Sequence, residues 1–199
     1  VTALCNAQVL LTLLSAAIGF GGMFAIYTYL TSVLQNVTHV PEWQVMLYLV
    51  VWGVGMLAGA NIGAWLVDRN INLAAIFALA GSALAMLVFA GVLHNSVGLM
   101  LDVFLIPACV NALGPALQTR LMDFAGDAQT LAASLNHSAF NIANALGASL
   151  GSVLLGQQFG YAALGIGGAL LSIGGLLVYL LALFILKKSG VAEERQPII

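Results

Sequence analysis

Between Ser134 and Leu155 the chain reads SLNHSAFNIANALGASLGSVLL, and its polar residues are spaced so that one helix would present them together. At about 100° per residue, Ser134, His137, Asn141, Asn144, Ala148, Gly151 and Ser152 fall on one stripe, with Leu135, Ile142, Leu146, Leu150 and Val153 opposite. Amides and hydroxyls in such a row can hydrogen-bond a small molecule, and the imidazole can in addition carry a proton. His137 reads equally as a neutral ring bonded to a neighbouring helix. The segment would be roughly 33 Å long as a helix, close to a bilayer core of about 30 Å. Hydrocarbon penalises unpaired amides, so the stripe is expected to face protein or a water-filled cavity.

Four other places in the chain could carry chemistry. Asp102 stands in a long apolar run with no Lys or Arg near it in sequence, which makes it a candidate proton-coupling group or a hydrated helix-end acid. Asn111, nine residues on, falls on the opposite side of that helix, so the two share a cavity only if the helix is bent. Tyr27 and Tyr29, with Thr28 and Thr31, close the first apolar run, as interface anchors or as ligand contacts. Asp68-Arg69 is an oppositely charged pair at the end of the second run, a solvated turn or part of a gate.

Gly147-Ala148-Ser149-Leu150-Gly151 matches the G-x-S-x-G nucleophile pattern. That pattern works at a sharp strand-to-helix turn, whereas here it lies inside a continuous helix, where it reads as a packing face of small residues. Ser149 would also lie about 18 Å along the helix from His137, too far for a hydrogen bond. No catalytic residue is therefore expected. Cys5 and Cys109, about a hundred residues apart, give neither a metal spacing nor a disulfide framework, and no metal or cofactor is expected.

These residues are positioned by a chain that is 62% hydrophobic and 6% charged, with a mean hydropathy of +1.06. Such a composition excludes a soluble domain and a nucleic-acid partner and implies a protein surrounded by membrane lipid. Runs at about Leu4–Leu34, Trp43–Val67, Ile71–Leu93, Val97–Met122, Ala128–Leu155 and Tyr161–Leu186 predict six transmembrane helices. Residues 1–188 form the bundle and 189–199 a short polar tail, expected to be disordered. All five cations, Arg69, Arg120, Lys187, Lys188 and Arg195, follow the second, fourth and sixth runs. The positive-inside rule then puts both termini in the cytoplasm. Pro107 and Pro115 are expected to kink or loosen the fourth span. Asn36-Val37-Thr38 fits a glycosylation acceptor, a tripeptide too common to carry weight. Val1 is not preceded by a basic start or a cleavage site, so the chain is expected to begin within a longer protein.

Four stretches carry a resemblance. NHSAFNIANALGASLG (Asn136–Gly151) resembles the eleventh helix of bacterial major facilitator superfamily exporters, in the drug:proton antiporter group of sugar-efflux and chloramphenicol-resistance type. MFAIYTYLTSVL (Met23–Leu34) is similar to the seventh helix of that group, and PALQTRLM (Pro115–Met122) to the end of the tenth. NIGAWLVDRN (Asn61–Asn70) is similar to the basic loop motif between helices eight and nine, with Ala64 where that motif usually has glycine and without its following Gly-Arg-Lys.

The resemblance implies an all-α membrane fold, the C-terminal half of a twelve-helix transporter, built as two inverted three-helix repeats. It implies proton-coupled efflux of a drug or sugar by alternating access in a bacterial inner membrane, driven by the proton gradient, with an N-terminal six-helix half as partner. By that resemblance His137, Asn141 and Asn144 would face the central cleft or a neighbouring helix and Tyr27 its outer mouth, Asp68-Arg69 would help to hold the inner gate, and the usual proton-coupling carboxylate would belong to the N-terminal half. The residues themselves add Asn111 as a candidate substrate contact and Asp102 as a candidate proton-coupling group. A homodimeric half-transporter, a small channel built from two copies, and an intramembrane enzyme using Ser149 or Asp102 are the alternatives.

Overall fold

A computed structural model describes residues 6–125 and 128–188; Cys5, Arg195 and the tail lie outside the described residues. Eight helices are found among them: α1 (Ala7–Gly19), α2 (Gly21–Tyr27), α3 (Leu30–Asn36), α4 (Glu42–Val67), α5 (Ile71–Val92), α6 (Ser96–Ala125), α7 (Gln129–Gly156) and α8 (Ala162–Lys188). With α1 to α3 taken as one interrupted span, six helical segments are long and apolar enough to cross a membrane.

Local chemistry sets the ends. Asn6 caps α1 by accepting from the Gln8 N–H at 2.9 Å, and Asn70 caps α5 by accepting from the Leu73 N–H at 3.0 Å. Asn95 does the same for α6, accepting from the N–H groups of Val97 and Gly98. Beyond α7, Gln158 turns left-handed at φ +61°, and the Phe159 N–H closes back onto the Leu154 carbonyl.

The first span departs from the expected single helix. It is interrupted at Phe20, amid Gly19, Gly21 and Gly22, and again at Thr28-Tyr29, where the Thr28 hydroxyl donates to the Phe24 carbonyl at 2.8 Å. The fourth span, where the prolines predict a kink, stays one helix through Pro107 and Pro115. Each proline still removes a ladder donor, leaving the Val103 and Asn111 carbonyls without their usual N–H partner.

Packing follows an internal symmetry. α4 lies along α6, with Gly55, Gly59 and Gly63 set against the carbonyls of Phe104, Ala108 and Ala112 so closely that a Cβ would collide. α7 lies along α2 in the same manner, with Gly147 against the Gly21 carbonyl and Gly151 under the Tyr29 ring. α5 packs on α6 and on α8, and α8 packs on α1 and α2. Exchanging spans one, two and three for four, five and six maps this pattern onto itself, and consecutive spans alternate in direction, as two inverted three-helix repeats require. Met23, Leu30, Leu79, Met86, Phe89, Leu99 and Leu113 fill the core.

Candidate functional site

α7 is held by a narrow ridge of small residues. Only Ala132, Ala139, Ala143, Gly147 and Gly151 along it are buried. Ser134, His137, Asn141, Asn144 and Ser152 are exposed on one side of that ridge, and Ile142, Leu146 and Val153 on the other. The expected stripe thus exists, with one correction: Gly151 belongs to the packing ridge, because only a residue without Cβ fits beneath Tyr29. The Tyr29 hydroxyl reinforces the seam by donating to the Ala148 carbonyl at 3.1 Å. Gly147 and Gly151 therefore serve helix packing, and the G-x-S-x-G match sits in no nucleophile turn. Phe140 stands beside the ridge, edge-on to Phe20 and Phe24 with ring centroids 5.2 and 5.0 Å away.

The remaining candidates fall around α2. Asn111 of α6 is half-buried beside it, its Nδ2 3.7 Å from the Met23 sulfur and donating to the Pro107 carbonyl at 3.0 Å. Tyr27, at the C-terminal end of α2, is 46% exposed and leans on the buried Trp52 of α4. Asn111 and Tyr27 thus join α2, the helix on which α7 rests. Toward the N-terminal end of α7, Asn136 donates to Gln118 of α6 at 2.7 Å, a link that sequence reasoning did not find.

Asp102 lies elsewhere. It is 1% exposed, and neither carboxyl oxygen has a hydrogen-bond partner among the described residues. It shares its side of α6 with Cys109, two turns inward, whose sulfur comes within 3.3 Å of the Cβ position of Gly81 on α5. That is the side facing away from Asn111. Asp68 and Arg69 occupy the exposed turn between α4 and α5, and the Arg69 guanidinium lies 3.8 Å from the centroid of the Trp65 ring.

Arg120 requires a correction. Its position in the charge pattern predicts a cytoplasmic loop cation; instead it is 4% exposed, inside the bundle. Its Nε donates to Thr12 Oγ1 at 3.2 Å, Nη1 to Asn72 Oδ1 at 3.1 Å and Nη2 to Gln8 Oε1 at 2.8 Å. Tyr179 donates to the same Asn72 oxygen at 3.0 Å, and Gln8 Nε2 donates to the Ala182 carbonyl at 3.0 Å. One guanidinium thereby ties α1, α5, α6 and α8. The signal lay in the sequence: Arg120 falls within the fourth apolar run, where an ionisable residue needs interior partners. Arg69, Lys187 and Lys188 still gather at the ends of α4 and α8.

The chain is 36% identical over 180 residues to the inner membrane transport protein YdhP of Escherichia coli K12, an alignment covering 90% of this chain and 46% of that protein. The chain belongs to the MFS-type transporters. It is 29% identical to the MFS-type transporter YfhI of Bacillus subtilis, across 92% of this chain and 46% of the relative. With a chloramphenicol resistance protein of Streptomyces lividans it shares 32% identity, across 79% of this chain and 40% of that protein. The chain spans about half the length of the curated MFS relatives it matches. No family model and no solved structure matches it. Its relatives are transporters rather than enzymes, and six spans with an inner-membrane relative make it a multi-pass inner membrane protein.

Proposed function

We propose that these residues form the C-terminal six-helix half of a proton-coupled exporter that moves a small amphipathic molecule by alternating access, with both termini in the cytoplasm. The observation that carries this reading is α7. Its amides and imidazole are exposed on a helix long enough to cross the membrane, so within a bilayer they need a polar cover or a watery cleft between two halves. His137, Asn141 and Asn144 supply hydrogen bonds from one wall, and Asn111 and Tyr27 supply them around α2. Drug-like substrates are favoured over sugars, because aromatic rings (Phe140, Tyr27) accompany the amides and because one relative is a chloramphenicol resistance protein. The proton gradient drives the cycle, with Asp102 as the coupling carboxyl. Asp68-Arg69 contributes to the inner gate, Arg69 being steadied on Trp65.

The test uses the full-length protein in proteoliposomes with radiolabelled chloramphenicol and an imposed pH difference. Asn141→Ala together with Asn144→Ala is expected to raise KM about tenfold or more, the loss of one to two hydrogen bonds to substrate. Wild-type uptake with an unchanged KM in the double variant would show the stripe to be packing only. Uptake indifferent to the pH difference would remove proton coupling.

A further inference from the structure

We infer that the proton site and the substrate wall of this half are two separate sites joined through α6, with Asp102 behind the helix and Asn111 in front of it. The inference rests on the exporter reading and adds how its two events communicate. Asp102 and Asn111 are nine residues apart, about 900° of rotation, hence on opposite sides of one helix. Asn111 touches Met23 of α2, whereas Asp102 shares the side that Cys109 presents to α5. A proton on Asp102 and a substrate on Asn111 therefore do not compete for the same space.

The surroundings of Asp102 explain how protonation would be felt. α4 and α5 pack against α6, and α5 has no titratable side chain. α4 has only Glu42, in its outermost turn, and Tyr48, whose hydroxyl already donates to the Ser96 carbonyl at 2.8 Å. His94, before α6, is exposed, and Cys109 sits two turns inward on α6 itself. Arg120 is on the same helix but about 27 Å away by helical rise, its donors engaged with Gln8, Thr12 and Asn72. α1 has no titratable side chain, α2 has only the exposed Tyr27, and α7 has only His137, next to the Asn136 that meets Gln118 near the other end of α6, so among the described residues an ionised Asp102 faces no cation from a neighbouring element. Leaving a carboxylate buried without hydrogen bonds is costly, so the charged form favours a displacement that brings it to water, about 9 Å outward at the start of α6.

The helix is built to allow that displacement. Pro107 lies between the two residues and removes the ladder bond to the Val103 carbonyl, uncoupling the outer third of α6 from the rest. The inner end is pinned by Arg120. Loss of the proton then tilts the outer segment about Pro107 and moves Asn111, whose Nδ2 is bonded to the Pro107 carbonyl.

The test needs no substrate. In the full-length protein with its native cysteines replaced, Gly114→Cys, one turn beyond Asn111 and with open space at its Cβ, is labelled with a membrane-impermeant maleimide at acid and at alkaline pH in proteoliposomes. The labelling rate, corrected with a water-exposed loop cysteine, is expected to differ by about fivefold or more between the two, and to lose that difference in an Asp102→Asn background. Should Asp102→Asn fail to fold, Asp102→Glu, with the carboxyl one methylene further out, must shift the pH at which the rate changes. A wild-type rate independent of pH, a difference that persists in Asp102→Asn, or an unshifted midpoint in Asp102→Glu would each overturn the inference. Failure here with chloramphenicol uptake intact leaves the exporter reading standing; loss of uptake in the wild type overturns that reading instead.

Discussion

Arg120 and Asp102 are buried charges on one helix, and the bundle treats them in opposite ways. Around Arg120 it has assembled Gln8, Thr12 and Asn72 as acceptors and the Tyr179 ring as a platform, 5.0 Å away. Around Asp102 it has assembled no donor among the described residues. A satisfied polar network fixes one arrangement of helices, whereas an unsatisfied group penalises the arrangement it is found in. The C-terminal end of α6 is therefore built to stay, whereas the N-terminal end carries a group that disfavours the arrangement it is found in, both on the same 30-residue helix.

Substitutions can break or sharpen this contrast. The largest effect is expected from Arg120→Ala, which leaves the buried Gln8 and Thr12 oxygens of α1 without their donor and opens a cavity between four helices, and should destabilise the fold by about 3 kcal/mol or more. A thermal-melting midpoint in detergent within a degree or two of wild type would show that the network holds nothing together. Next comes Asp102→Leu, of similar size, which replaces an unpaired polar group by a packed apolar one and should stabilise by about 1–2 kcal/mol while abolishing proton-driven uptake. A drop in midpoint would mean that Asp102 has partners in the native protein. Arg120→Lys keeps the charge but not the planar fork that reaches three acceptors, so a loss of about 1–2 kcal/mol is expected. Equal stability of the wild type and the Arg120→Lys variant would reduce the hub to a simple charge effect. The smallest change belongs to Tyr29→Phe, which removes the hydroxyl bond to Ala148 but leaves the ring over Gly151, at about 0.5–1 kcal/mol.

Much of this organisation could be read from residue order. The six spans match their apolar runs to within a few residues at each end, because bilayer thickness dictates their length. The polar stripe of α7 follows from the positions of His137, Asn141 and Asn144 alone. The breaks in the first span were hidden, because Phe20 and Thr28-Tyr29 lie inside one uninterrupted apolar run and the contact of Gly22 with the Gly168 carbonyl of α8 exists only once the bundle forms. Pro107 and Pro115 remove two ladder bonds, yet α6 runs on through both because neighbouring helices hold the segment, Gly55 leaving room for the Pro107 ring. The role of Arg120 was hidden because its partners, Gln8, Thr12 and Asn72, come from helices far away in sequence, and that proximity exists only once the bundle forms. The residues around Asp102 could not be anticipated for the same reason.

The narrow ridge of α7 also bears on biogenesis. α7 is the least apolar of the six spans, while α8, which follows after a short turn, is the most apolar. Asparagine and histidine near the middle of a segment weaken its release from the insertion machinery into lipid, so α7 should commit to the bilayer poorly when it emerges alone. The insertion of α8 would then carry α7 in as a helical hairpin. The seam of Ala139, Ala143, Gly147 and Gly151 can close on α2 only afterwards, which makes docking of α7 a late step in assembly and places its polar stripe among the last surfaces of this half to be completed.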